Sequence, residues 1–231
     1  MIKSFLILIN FSILLFSSEQ IVLVVANDFN TSHAKLAFYD GHTLLLKAEV
    51  NIGTKGLAWG IGEKKFDHKQ NEPLKYEGDQ KAPAGIFALQ NIFGYGYSSA
   101  SNLPYLHTSK ELICVDDSND RFYNRIIQAH GSEKSFENMR RKDYQYKYGV
   151  TVAHNNEGVK QRGSCIFLHI QREEGAGTAG CTSMKEKDLK KLISLLDKKK
   201  HPILIQIPKS RAKEIKKLYP VLQNSELLRQ N

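Results

Sequence analysis

Short β-branched runs, each closed off by turn chemistry, constrain this chain more than any other feature. Residues 20–26 (QIVLVVA) are apolar and rich in valine, the pattern of a strand buried on both faces. Residues 35–39 and 43–51 flank Asp40-Gly41, which predicts a hairpin around a tight turn. Residues 85–89, 113–115, 149–153, 164–170 and 203–207 are further strand candidates. The glycine-rich residues 53–62 around Trp59, and residues 93–101, read as loops. Clear helical periodicity is confined to residues 185–199, where Leu189, Leu192, Ile193 and Leu196 form one stripe and the lysines fall mainly opposite. Residues 135–141 read as a short helix, and the segment from Ser210 as another. The pattern implies one mainly β domain with one principal helix after Cys181 and short peripheral helices.

The chain has 231 residues, enough for one full-sized core. Lys3, the almost wholly apolar residues 5–16 and then Ser17-Ser18 follow the order of a secretory signal peptide. That apolar run is too short to span a bilayer comfortably. An uncleaved N-terminal anchor is the alternative. Export is therefore expected, with no stable membrane insertion once residues 1–18 are removed. The net charge of +9 suits an anionic partner, such as cell-wall carboxylates, an acidic polymer or a membrane surface. No nucleic-acid motif is present, and no nucleic-acid partner is expected.

The three cysteines are Cys114, Cys165 and Cys181. An odd number in an oxidising compartment leaves at least one thiol unpaired or bridged to another chain. A Cys114–Cys165 disulfide that leaves Cys181 free is one arrangement.

Residues 163–184 (GSCIFLHIQREEGAGTAGCTSM) carry the chemistry. Strand alternation would put Cys165, Phe167 and His169 on one face, with His169 at the rim before a polar loop. The chain returns through Gly175, Gly177 and Gly180 to Cys181. Ser183 and Glu186 have the spacing of a capping box, which would set Cys181 just ahead of a helix N-terminus. Such a position lowers a thiol's pKa, and a nearby imidazole can take its proton. The backbone N–H groups of Gly180 and Cys181 could then hold an oxyanion. The plainer alternatives are a small buried cysteine and a hydrogen-bonded histidine. A zinc site from Cys165, His169 and Cys181 has the right ligand types but no supporting Cys-x-x-Cys or His-x-x-x-His pair.

This stretch resembles the active-site signature of the L,D-transpeptidase (YkuD-like) catalytic domain family: a histidine on a strand, a variable loop and a Ser/Thr-x-Gly-Cys turn. His169 matches the histidine, and Thr178-Ala179-Gly180-Cys181 the turn. Residues 78–89 (GDQKAPAGIFAL), residues 114–125 (CVDDSNDRFYNR), Tyr148-Gly149-Val150 and GSCIFLH resemble other family segments in the same order, over about residues 40–200. The resemblance implies a β-sandwich-like fold in a catalytic domain at 19–208, followed by a basic helical tail at 209–231. It implies that Cys181 attacks a carbonyl at the diamino acid of a peptidoglycan stem peptide, forms a thioester, and passes the acyl group to an amine or to water. His169 would be the base. No cofactor and no metal are expected.

Two departures stand out. Ala179 replaces a histidine common before Gly-Cys, and Ser183 stands where many members carry an arginine that would hold a substrate carboxylate. Lys185, Arg162 or Arg172 could take that part. Thr178, Ser183, Trp59 and His154 are further candidates for substrate binding, with core packing the alternative for Trp59 and an ordinary loop residue that for His154. His130 reads as a loop residue, and Asp116 and Asp117 as backbone caps. The rival functions are a non-catalytic wall-binding protein of the same fold and a cysteine peptidase or acyltransferase acting on another envelope substrate.

Overall fold

The computed structural model describes residues 19–229, so the expected signal segment lies outside the described residues. Thirteen strands and two α-helices follow in order: β1 (Gln20–Ala26), β2 (His33–Asp40), β3 (Thr43–Asn51), β4 (Leu57–Trp59), β5 (Ala82–Gly94), β6 (Tyr105–His107), β7 (Leu112–Val115), β8 (Ile126–Gln128), β9 (Phe136–Asn138), β10 (Tyr148–Val152), β11 (Phe167–Ile170), β12 (Thr182–Met184), α1 (Glu186–Leu195), β13 (Ile203–Pro208) and α2 (Ala212–Leu218). The mainly β expectation holds.

The principal sheet runs β10-β11-β12-β3-β2-β1-β13-β5-β4, with β6 on β5 and an additional β10–β5 pairing. β5 explains how the two ends meet. Residues 85–88 pair antiparallel with β13, and the later part of the strand, residues 89–94, pairs with β10. One long strand thus closes the sheet on itself and leaves fewer open edges. β1, buried along its whole length, lies parallel to β13 and antiparallel to β2, which accounts for its unbroken apolar run. The β2–β3 hairpin turns at Gly41, with φ of 55°. A smaller sheet, β8-β7-β9, stands apart from the large one.

Several local expectations need correction. The glycine-rich segment 53–62 contains β4, which pairs with the start of β5. Residues 135–141 hold β9 rather than a helix, because their backbone completes the small sheet against β7. The run expected over 164–170 becomes strand at Phe167, since Cys165 sits in the left-handed region at φ 54°. The alternation that would align Cys165 with Phe167 and His169 is broken there. α1 stops at Leu195, short of residue 199, yet it buries Leu189, Leu192 and Ile193 as the spacing predicts. After β13, α2 and two short 3-10 turns pack Ile215, Leu222 and Leu228 into the core.

Candidate active site

β11 and β12 run parallel in the register Leu168↔Thr182 and His169↔Ser183. Residues paired across adjacent strands share a face. Cys181 immediately precedes β12, beside Phe167, whose N–H donates to its Sγ at 3.3 Å. Cys181, His169 and Ser183 all line one cavity of about 390 Å³. Along the chain the cysteine and histidine are separated by the loop from 171 to 180, but the parallel pairing brings them to one wall.

The capping box does not form. Ser183 belongs to β12 and is paired with Asn51 of β3 as well as with His169. The N-cap of α1 is Lys185, without a side-chain cap, and Glu186 instead accepts from Lys147 at 3.1 Å. A strand therefore separates Cys181 from the helix, and the helix dipole fades within a turn of its end. Burial, reinforced by the Glu137 carboxylate, pushes the Cys181 thiol up to about 12, although the Phe167 N–H, the Tyr146 hydroxyl and Lys75 favour the thiolate. This reverses the expected lowering. The thiol donates to the carbonyl of Cys165 at 3.4 Å.

His169 is buried, and burial brings its pKa down to about 4. Its Nδ1 lies 2.8 Å from the carbonyl of Ile170. A carbonyl only accepts, so Nδ1 carries the proton and Nε2 keeps its lone pair. The ring packs edge-on against Tyr146, with centroids 5.3 Å apart. Among the described residues no hydrogen bond joins the imidazole to the thiol. At neutral pH the pair consists of a neutral thiol and a neutral base.

The turn before Cys181 is fastened by Thr178. Its hydroxyl donates to the carbonyl of Cys181 at 2.6 Å and accepts from the N–H of Gly180 at 3.1 Å. That N–H, one of the two expected to face an oxyanion, is therefore occupied. At Gly177 a Cβ would stand 2.7 Å from Thr54 Cα, so this close approach needs glycine.

Trp59 and His154 do not reach the cavity. Trp59 is stacked on Phe66 in the core, and its indole N–H donates to Glu72 at 2.9 Å. His154 is buried with Nδ1 accepting from the Ile61 N–H at 3.3 Å and Nε2 lying 2.9 Å from the Arg162 carbonyl. Burial holds its pKa down at about 4. Of the three cations weighed for the missing arginine, Arg172 lines the cavity, whereas Arg162 donates to the Lys75 carbonyl and Lys185 pairs with Glu174. His130 lies in the loop after β8, where its N–H donates to Glu133. Asp117 caps the N–H of Asn119 at 2.9 Å, as expected of a turn residue.

Cys114 and Cys165 form a disulfide, with Cα atoms 6.0 Å apart, and Cys181 is the free cysteine. The zinc grouping is thereby dissolved, because a disulfide sulfur is no thiolate ligand. Asn124 joins the same region together: it accepts from the Cys165 N–H at 2.9 Å and donates to the carbonyls of His154 and Asn155. Lys75, Glu77, Asp116, Glu137, Arg141, Gln145 and Tyr146 also line the cavity, and the sequence did not point to them there. No helix among the described residues is long and apolar enough to cross a membrane.

Residues 22–205 match the family model described as YkuD, L,D-transpeptidase catalytic domain. No curated protein and no solved structure matches the chain.

Proposed function

The chain belongs to the L,D-transpeptidase catalytic domain family, and on that premise we propose that it is an exported cysteine acyltransferase acting on peptidoglycan stem peptides. The observation that carries this reading is the shared wall of Cys181 and His169, with the imidazole tautomer fixed by Ile170 and Nε2 left as acceptor.

In the proposed reaction the stem peptide enters the cavity and displaces the thiol proton from the Cys165 carbonyl toward His169 Nε2. Sγ adds to the substrate carbonyl while Nε2 takes that proton. The oxyanion is met by the Cys181 N–H. Collapse breaks the C–N bond, and the imidazolium returns its proton to the leaving amine. The thioester is then resolved by an amine from a second stem, giving a cross-link, or by water, giving a shortened stem. Ser183 replaces the usual arginine as a polar contact for the substrate, and Thr178 shapes the turn that aims the sulfur.

Intact-mass spectrometry of the protein mixed with purified stem tetrapeptides tests the reading. Wild type should gain the mass of an acyl group on Cys181 and yield cross-linked or shortened stems. Cys181→Ala should do neither. Identical products from the two proteins would exclude the assignment.

A further inference from the structure

A groove of about 780 Å³ beside α2 lies apart from the cysteine cavity and shares none of its lining. Its charges are unequal. Both of its carboxylates, Glu72 and Glu214, are bonded to Arg211, whose guanidinium also lies 5.0 Å from the centre of the Trp59 ring. Lys69, Lys213, Lys216 and Lys217 line the same groove and hold no carboxylate among the described residues. Elsewhere on the surface Lys47, Lys147 and Lys185 each meet a glutamate.

Fold stability does not account for this clustering. Lys213 stands in the first turn of α2, where the helix dipole disfavours a cation. Lys216 and Lys217 suit the dipole in the last turn, yet they follow Lys213 at i+3 and i+4, the spacings at which like charges repel. A bound polyanion would relieve that repulsion, and the carboxylates of the groove are already committed to Arg211.

The donor set narrows the partner. The free cations are all lysines, compact point charges that suit a tetrahedral phosphate. The one guanidinium, whose fork matches a planar carboxylate, is closed by Glu72 and Glu214. No aromatic or aliphatic side chain lines the groove, so a nucleic-acid base has no ring to stack on and a lipid surface no anchor to bury. Tyr97 and Tyr144, the most exposed large apolar side chains, lie outside it. A concave groove also fits a linear chain better than a membrane plane.

We infer that this groove is a docking surface for a linear phosphodiester polymer without bases, which holds the protein at its place of work. The chemistry at Cys181 does not depend on it, so the two readings stand or fall separately.

Fluorescence anisotropy with a labelled abasic phosphodiester oligomer tests the groove. Wild type should bind at low salt, with log K falling against log salt at a slope of about −3, the value for four phosphates neutralised on a single strand. Lys213→Gln, Lys216→Gln and Lys217→Gln together should weaken binding about tenfold or more and bring the slope to about −1. Lys110→Gln, Lys134→Gln and Lys160→Gln, exposed and outside the groove, remove the same charge and should leave affinity within about twofold. Melting temperatures check that both variants are folded. Should the α2 variant fail to fold, Lys69→Gln, on a separate loop of the groove, carries the test with a loss of about threefold. A base-bearing oligomer of the same length should bind no better than the abasic one. Absence of binding by wild type overturns the inference, as do equal losses in the two triple variants or full affinity in the α2 variant. Tighter binding of the base-bearing oligomer, of polyglutamate of equal charge or of anionic vesicles overturns the assigned class of partner.

Discussion

The backbone N–H of Phe167 donates to the sulfur of Cys181 at 3.3 Å, while that thiol donates onward to the carbonyl of Cys165 at 3.4 Å. The sulfur is thus wired into the main chain as a neutral thiol. Because burial places its pKa at about 12, the free protein holds almost no thiolate at neutral pH. The rate of alkylation by iodoacetamide should climb steadily with pH from 7 to beyond 10. A plateau below pH 8 would instead reveal a thiolate–imidazolium pair and defeat this account of the resting site.

Two buried histidines give stability an acid edge. His154 and His169 both have pKa values of about 4, and burial is the main cause in each. Their unfolded values near 6.5 are higher, so the unfolded chain binds protons first. Their contribution is complete above about pH 6.5 and is lost as pH falls through 4, at a cost on the order of 3 kcal/mol each. Cys181 acts in the opposite sense: its raised pKa contributes below about 9 and is lost as pH rises through 12. Urea unfolding between pH 4 and 7 should show the acid loss, and His154→Gln, outside the cavity lining, should flatten part of it. An unchanged slope in that variant would contradict its assignment.

The Cys114–Cys165 bridge spans 51 residues of sequence and closes the small sheet against the strand that leads to His169. Chain-entropy arithmetic for a loop of that length gives about 4 kcal/mol of stabilisation. Cys165 is also held in the left-handed region, and its carbonyl receives the Cys181 thiol. Replacing both cysteines by alanine should therefore lower the unfolding free energy by about 2–5 kcal/mol. It should also reduce thioester formation measured below the melting transition. Full acylation rates in a destabilised double variant would show that the bridge acts on the fold alone.

What the sequence made legible follows from which forces are local. The strands of 20–26, 43–51 and 203–207 were readable because burial on one or two faces writes itself into residue order. His169 and Cys181 were readable because they sit in a compact motif with glycines around it. Ser183-x-x-Glu186 misled because the same spacing serves a helix cap or a strand end, and only pairing with β3 and β11 decides between them. The short helix expected at 135–141 failed for the same reason: β9 exists through its bonds to β7, not through its own propensity. Glu137, which accepts from the Tyr146 hydroxyl in the cavity wall, lies in that misread region, so the acidic side of the site stayed hidden. Trp59 and His154 were drawn toward the site by residue type and by their place in a glycine-rich segment and at a strand end, whereas their polar atoms are already satisfied elsewhere.

Ser183 separates stability from function most sharply. Its hydroxyl is buried and unpartnered in the free protein, so Ser183→Ala removes an unmet polar group and leaves the β11–β12 register untouched. Stability should stay the same or rise by about 1 kcal/mol. If the hydroxyl meets the substrate, kcat/KM on stem tetrapeptides should fall by about tenfold, while intrinsic alkylation of Cys181 stays unchanged. Thermal melting and steady-state kinetics on one preparation resolve the two effects. A variant as active as wild type would remove Ser183 from the substrate contacts. One destabilised by more than about 1 kcal/mol would show that the hydroxyl already has a partner in the resting protein.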